Sequence, residues 1–147
     1  MPAGQIVRAG QRPGERIGVT TRTSDSAAFT TTEVVIDSIT VSLVQGRTYK
    51  IRWTVAWVST VANDTVFSRI RENNVTGTQL QILRINIPTT GGLGTRWDGT
   101  VEAEYTAVAS GNKTFVGTGT RATGTGNIVA DADATFPIRL YVEYVSG

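Results

Sequence analysis

The sequence predicts an all-β protein, a single jelly-roll-like antiparallel β-sandwich of about eight strands with an extended N-terminal arm. Composition is the first reason, since threonine fills 24 and glycine 16 of the 147 positions. Threonine suits a pleated, half-buried surface, and glycine suits turns and bulges. Alternation is the second reason, because apolar residues recur at every second position in several segments, as they do only in strands. An immunoglobulin-like sandwich is the second choice of architecture.

Residues 1–15 are predicted to form the arm and residues 16–147 the sandwich. Proline and glycine interrupt the arm, and its apolar residues of any size after Met1 are the adjacent Ile6 and Val7. Arg8 and Arg12 make the arm basic. One interpretation is a frayed terminus, which is common. The other is an arm that becomes ordered on a neighbouring subunit, which makes Ile6, Val7, Arg8 and Arg12 the predicted attachment residues.

The first five strands are apolar alternations separated by turn-forming residues. They are predicted at Ile17–Thr23, Glu33–Val44, Tyr49–Val58, Asp64–Arg71 and Thr78–Ile87. In the second strand, one apolar face is expected to hold Val35, Ile39, Val41 and Leu43. In the fifth, the apolar phase shifts between Ile82 and Leu83, which predicts a β-bulge at that point.

The last three strands are predicted at Thr100–Ala109, Thr114–Thr120 and Thr135–Val145. The turn at residues 110–112 is expected to join the first two of these as a β-hairpin. Residues 121–133 are expected to form a loop of small residues. The glycines of residues 91–94 and 117–126 are interpreted as hairpin tips or bulges, because neither stretch has the setting of a phosphate-binding loop.

The third and last strands carry the longest apolar faces. These faces are predicted to hold Tyr49, Ile51, Trp53, Val55 and Trp57 on the third strand, and Phe136, Ile138, Leu140, Val142 and Tyr144 on the last. Such faces are either the core between two sheets or, in part, contacts with other copies of the chain. The predicted core or self-association residues are Tyr49, Trp53, Trp57, Leu140, Val142 and Tyr144, with Trp53, Trp57 and the last strand favoured for self-association.

The residue types in the chain argue against a catalytic or metal-binding function. The chain has no histidine and no cysteine, the commonest catalytic base and soft metal ligand. Glu102 and Glu104 share a strand face, but a solvated outer face explains them better than glycoside hydrolysis. Asp131 and Asp133 have the spacing of calcium ligands, but few other side-chain oxygens surround them. We therefore expect no catalytic residue, no cofactor and no metal, and a protein that is not an enzyme.

Net charge and hydropathy limit the classes of partner that the chain is expected to bind. The net charge of +2 is far below that of a duplex-binding protein, and no apolar run approaches the ~20 residues of a membrane span. Residues 1–18 lack the pattern of a signal peptide, so synthesis in the cytoplasm is expected. Twelve of the fourteen cationic residues are arginine, which is enriched at protein interfaces. A genome rich in GC is the alternative explanation of the arginine.

One loop carries an aromatic residue between two charges, Arg96-Trp97-Asp98. An aromatic side chain in a glycine-rich loop can stack on a sugar or fill a partner's pocket. Packing of Trp97 over the end of the sandwich is the alternative. Arg96, Trp97 and Asp98 are therefore the candidate glycan contacts.

Four stretches, Arg22–Glu33, Gly46–Trp53, Arg71–Gln79 and Leu140–Gly147, resemble small virion proteins of tailed phages that infect actinobacteria. The resemblance covers about residues 16–147, and such proteins are minor tail or head decoration proteins. It implies a non-enzymatic structural protein of the virion, made in the host cytoplasm and bound to capsid or tail proteins. We expect a homotrimer attached through its arm. The alternative is a receptor- or carbohydrate-binding module at a tail tip or fibre.

Overall fold

The computed structural model describes residues 12–90 and 96–147. The described residues form nine strands and no helix, which confirms the all-β prediction. The strands are β1 Arg16–Arg22, β2 Val34–Leu43, β3 Thr48–Ser59, β4 Asp64–Glu72, β5 Gln79–Ile87, β6 Trp97–Thr106, β7 Gly111–Thr123, β8 Ile128–Ala130 and β9 Ile138–Ser146. The eight long strands end within three residues of their predicted limits. The short β8 lies where a loop was predicted.

The strands build two antiparallel sheets that pack face to face. One sheet has the order β1-β9-β3-β6, with β8 added to β3, and the other has the order β2-β7-β4-β5. Apart from β4 and β5, long strands that follow each other along the chain lie in opposite sheets. Two facing four-stranded sheets with these crossings are a jelly roll. The jelly-roll prediction is confirmed, and the immunoglobulin-like alternative is wrong.

The predicted hairpin between the sixth and seventh strands is wrong. β6 pairs with β3, whereas β7 pairs with β2 and β4 in the other sheet. The turn at Gly111, whose φ is 132°, therefore carries the chain between sheets. A short turn looks alike in sequence whether the next strand joins the same sheet or the facing one. In the described part of the chain, β4 and β5 are the one consecutive pair that shares a ladder.

The core contains the apolar faces of the third and last strands. The side chains at most 5% exposed include Tyr49, Trp53, Trp57, Leu140, Val142 and Tyr144. The rings of Trp53 and Trp57 meet edge to face with centroids 5.8 Å apart. Because one copy of the chain already buries all six, no surface on them is left for self-association. The core interpretation of these six side chains is confirmed, and the interpretation that Trp53, Trp57 and the inward side chains of the last strand mediate self-association is wrong.

Two glycines of β7 make room for the two indoles. A Cβ on Gly117 would lie 2.5 Å from the ring of Trp53, and one on Gly119 would lie 2.7 Å from the ring of Trp57. Both glycines lie inside a strand, so their interpretation as hairpin tips or bulges is wrong. The predicted glycine turn at residues 91–94 lies outside the described residues.

A bulge in β2 changes its predicted apolar face. The register with β7 shifts between Val35 and Asp37, so that Ile36 and Asp37 are both buried. Val35, predicted on the core face, is 43% exposed instead. Asp37 keeps the inward orientation that alternation with Ile39 gives it, whereas the bulge adds Ile36 to the core face and turns Val35 outward.

The bulge in β5 is present but not where it was predicted. Ile70 pairs with Gln81 and Arg71 pairs with Gln79, which leaves Leu80 as the extra residue. The ladder continues without a break past Ile82 and Leu83. The bulge lets Leu80 pack against the core together with Ile85, whereas Ile82 lies on the outer face at the sheet edge and is 36% exposed.

Candidate functional site

The chain enters β1 through a tight turn that is fixed to β9. The amide of Gly14 donates to the carbonyl of Tyr144 at 2.7 Å, and the amide of Tyr144 donates to the carbonyl of Glu15 at 2.9 Å. Gly14 has a φ of 84°, a conformation that glycine adopts without strain. Arg12, the first described residue, is exposed at this turn, whereas Ile6, Val7 and Arg8 lie outside the described residues.

The three candidate glycan contacts do not share a surface. Trp97 was predicted in a loop, but it is the first residue of β6 and pairs with Trp57. Neighbouring residues of a strand point to opposite faces. Trp97, which is 39% exposed, therefore lies on the inner side at the end of the sandwich, and Asp98 lies on the outer face of the sheet.

A pocket of about 200 Å³ lies on that outer face, between the ends of β3 and β6 and the segment that precedes β9. Its lining is formed by Thr54, Val55, Ala56, Arg96, Asp98, Thr135, Phe136, Pro137 and Ile138. Phe136 was predicted on the core face of the last strand, but β9 begins only at Ile138 and Phe136 is 59% exposed. The pocket thus combines an exposed ring with a cation and a carboxylate.

Arg96 is the central charge of this pocket. Its guanidinium carbon lies 5.3 Å from the centre of the Phe136 ring, and its Nη1 donates to the Phe136 carbonyl at 3.1 Å. A cation over an aromatic face is attracted to it. Nε is buried and has no hydrogen-bond acceptor among the described residues, although carboxylate oxygens of Asp98 and Asp131 lie 3.5 and 3.7 Å away. One donor of Arg96 therefore remains unused.

Acidic residues lie close to Arg96. Burial raises the pKa of Asp131, the negative charge of Asp25 raises it further, and Arg96 opposes both. Asp133 accepts from the amides of Thr135 and Phe136 at 2.8 and 2.7 Å, so it shapes the loop. Over residues 12–90 and 96–147, no three His, Cys, Asp or Glu side chains are grouped so as to hold a metal ion.

The two glutamates of β6 lie on the outer face of the sheet. Glu102 accepts from Arg52, which also donates to the Tyr141 hydroxyl at 2.6 Å. Glu104 is exposed on the same face. A surface ion pair therefore explains the position of Glu102, as the sequence interpretation of a solvated face expected.

A charge cluster on the second sheet was missed by sequence reasoning. Glu33, which precedes β2, contacts Arg69 at 2.9 Å and Arg71 at 2.5 Å. Burial alone would raise the pKa of Glu33, but the hydrogen bond from Arg71 and the charges of both arginines outweigh it and hold the pKa below its ordinary value. The contact joins residues more than thirty positions apart in the chain, so no local pattern signals it.

The part of the chain that the structure describes includes no helix with the length and apolarity needed to cross a membrane.

No family model matches this sequence, and no curated protein matches it. Solved structures similar to it include one titled "CBM4 structure and function", 16% identical over 73% of this chain and 59% of that chain, with a TM-score of 0.37. The VP2 protein of infectious bursal disease virus is 11% identical over 87% of this chain and 36% of that chain, with a TM-score of 0.42. The CBM22-1 xylan-binding domain from Paenibacillus barcinonensis Xyn10C is 8% identical over 94% of this chain and 91% of that domain, with a TM-score of 0.38. These values assign neither a family nor a function.

Proposed function

We propose that this chain is a non-enzymatic structural protein of a tailed-phage virion, a trimeric decoration or minor tail protein that attaches to capsid or tail proteins through its arm. The observation that carries the proposal is the turn at residues 12–15, which is fixed to β9 by two backbone hydrogen bonds. A segment joined to the body at a fixed point can bind a partner without disturbing the packed sandwich. The likeness of four sequence stretches to small virion proteins supports the same role.

The proposed mode of binding needs no single strong contact. A virion repeats its surface many times, and a trimer presents three arms to it. Several weak contacts made together raise the avidity well above the affinity of one arm. The basic residues Arg8 and Arg12 and the apolar pair Ile6 and Val7 supply the two kinds of contact that such an arm uses.

Deletion of residues 1–11 is expected to abolish binding to phage particles that lack this protein. The deletion keeps the turn at residues 12–15 and all nine strands of the described residues, so the free energy of unfolding should stay within about 0.5 kcal/mol of that of the full chain. Co-sedimentation with particles measures the first effect, and urea unfolding measures the second.

The matched control for this deletion is Val61→Asp, because Val61 is 38% exposed in the connection between β3 and β4. It places a charge on the body and leaves the arm unchanged. This variant should co-sediment as the full chain does. Undiminished binding by the shortened chain would refute attachment through the arm.

Glycan binding is the second candidate function, and the pocket beside Arg96 favours it. Ligand sites combine apolar surface with a few polar groups that fix orientation. The exposed ring of Phe136, the guanidinium of Arg96 and the carboxylate of Asp98 supply such a combination. In this role the chain would be a receptor- or carbohydrate-binding module at a tail tip or fibre.

Phe136→Ala is expected to weaken binding to host-envelope glycans about tenfold, since it removes the stacking surface of the pocket. Because Phe136 is largely exposed, the fold should be unaffected. A glycan array and a whole-cell binding assay measure the effect. Trp97→Ala is the control, because Trp97 lies outside this pocket. Absence of glycan binding by the unaltered chain, or full binding by Phe136→Ala, would exclude this second function.

A further inference from the structure

The two long sides of the sandwich differ in how their edge strands are covered. On one side β1 covers the edge of β2. The hydroxyl of Thr20 donates to the carbonyl of Ser38 at 3.0 Å, and Nη2 of Arg22 donates to the carbonyl of Ile36 at 2.6 Å. Side chains thus satisfy edge carbonyls that would otherwise be free to pair with another strand.

The opposite side, formed by β5 and β6, has no covering strand among the described residues, and on β5 the amide of Ile82 donates to Oε1 of the adjacent Gln81 at 3.0 Å. β5 forms a ladder with β4 alone, and β6 with β3 alone. Each therefore has one row of backbone groups without a strand partner. A groove of about 450 Å³ lies between the two edges, lined by Gln81, Ile82, Leu83, Thr100, Val101 and Glu102.

β5 is poorly protected against pairing with another chain. Ile82 and Leu83 point to opposite faces of the strand, and each is 36% exposed. Proteins commonly protect a free edge with lysine, proline, several charges or a very short strand. β5 has nine residues, and Arg84 is its one charged side chain. An apolar, nearly uncharged edge of this length is a template for a further strand or a packed partner.

The two edges also differ in charge. β6 carries the exposed carboxylates Asp98, Glu102 and Glu104, whereas β5 carries Arg84. Neither Arg84 nor Glu104 takes part in an ion pair with another described residue, so both charges are available to a partner. Opposite charges on neighbouring edges make this side complementary to itself when β5 of one copy faces β6 of the next. Pairing of β5 with β5 would instead bring arginine towards arginine.

We propose that the β5–β6 side is the surface through which copies of this chain associate, with β5 of one copy against β6 of the next. Both edges lie on the same side of the sandwich, so such contacts close into a ring around a common axis when the rotation between copies fits. The proposed function requires a ring of three copies. The number three rests on that proposal, whereas the contact between the edges does not. The association itself is tested without any phage particle.

The first test measures the assembly of the full chain by light scattering and sedimentation equilibrium at micromolar concentrations. Ile82→Asp places a charge in the groove and is expected to raise the dissociation constant about tenfold or more. Val19→Asp is the matched control, because Val19 is 48% exposed on β1 at the covered side. The control should assemble as the unaltered chain does.

The second test reverses the charges of the two edges. Arg84→Glu and Glu104→Arg are each expected to weaken the assembly, and the double variant is expected to recover it. Arg139→Glu, on the outer face of β9, is the control for a charge change alone. Near-ultraviolet circular dichroism of the buried Trp53 and Trp57 shows whether each variant keeps its core.

A monomer at every concentration, an assembly indifferent to Ile82→Asp and Arg84→Glu, or a dimer that pairs β5 with β5 would each overturn the inference. Its failure is distinct from failure of the proposed function. The deletion of residues 1–11 tests attachment to particles and should leave the assembly unchanged, whereas the edge variants should dissociate the assembly and retain the arm.

Discussion

Gly117→Ala is expected to lower the free energy of unfolding by about 3 kcal/mol, and Gly117→Val to prevent folding. The added Cβ would lie 2.5 Å from the indole of Trp53. That indole is fully buried, and its Nε1 donates to Asp37 at 2.9 Å, so it cannot move aside without losing a buried hydrogen bond. Because the backbone of β7 lies this close to the ring, Trp53 has no alternative rotamer that would relieve the overlap.

Urea unfolding followed by tryptophan fluorescence measures this loss of stability. Thr114→Ala is the control on the same strand, because its hydroxyl makes an exposed hydrogen bond to Thr40 and its removal should cost less than about 0.5 kcal/mol. Adding Trp53→Phe to Gly117→Ala should cost less than the sum of the two single changes, since the smaller ring leaves room for the methyl group. A Gly117→Ala protein as stable as the natural chain would contradict the close approach.

The core was predictable from the sequence because burial in a half-covered strand repeats every two residues. Trp53, Trp57 and Leu140 all follow that local rule, and all are buried. Sequence alone left open whether these faces were covered by the second sheet or by another copy. The facing sheet decides this, and its position depends on strand order rather than on any local pattern.

The role of the β7 glycines was not predictable in the same way. From the sequence, Gly117 and Gly119 are interpreted as residues of turns or bulges, because glycine is a common turn former. Their function depends instead on two tryptophans of a strand in the other sheet, about sixty residues earlier in the chain. The wrong hairpin at Gly111 has a related cause, since the turn specifies a reversal of direction but not the sheet that the next strand joins.

The candidate glycan site was predicted in part. Arg96, Trp97 and Asp98 are adjacent in sequence, but strand alternation separates Trp97 from the pocket that Arg96 and Asp98 line. The aromatic residue that does line it, Phe136, comes from a segment forty positions away. Phe136 is exposed because β9 begins only at Ile138. The apolar alternation of Phe136 with Ile138 had predicted that the strand starts earlier.

Buried carboxylates were the other feature that alternation did not reveal. Asp64, at the start of β4, is fully buried and accepts from the Ser59 hydroxyl at 2.7 Å and from the Gly126 amide at 2.9 Å. It joins the end of β3 to the connection after β7. The sequence placed Asp64 only at the start of a predicted strand and did not indicate its burial, because the donors that make that burial tolerable include groups from a distant segment.

Asp37→Ala is expected to cost about 3 kcal/mol or more of unfolding free energy. The carboxylate of Asp37, 5% exposed, accepts from Nε1 of Trp53 through one oxygen and from Nε of Arg22 through the other, both at 2.9 Å. Its removal leaves a buried indole donor without a partner and a half-buried guanidinium without its counter-charge. Desolvated donors of this kind cost more than the bond itself contributed.

The order of three variants tests this account by chemical denaturation. Asp37→Asn keeps the shape and one acceptor oxygen but turns an amide donor towards one of the two partners, so it should cost less than Asp37→Ala. Arg22→Ala should cost least, because the side chain of Arg22 is 25% exposed and water can replace part of its contact. In the double variant Asp37→Ala with Trp53→Phe, the orphaned donor is gone, so the loss should fall below the sum of the single losses. Strictly additive losses would mean that the carboxylate and the indole are energetically independent.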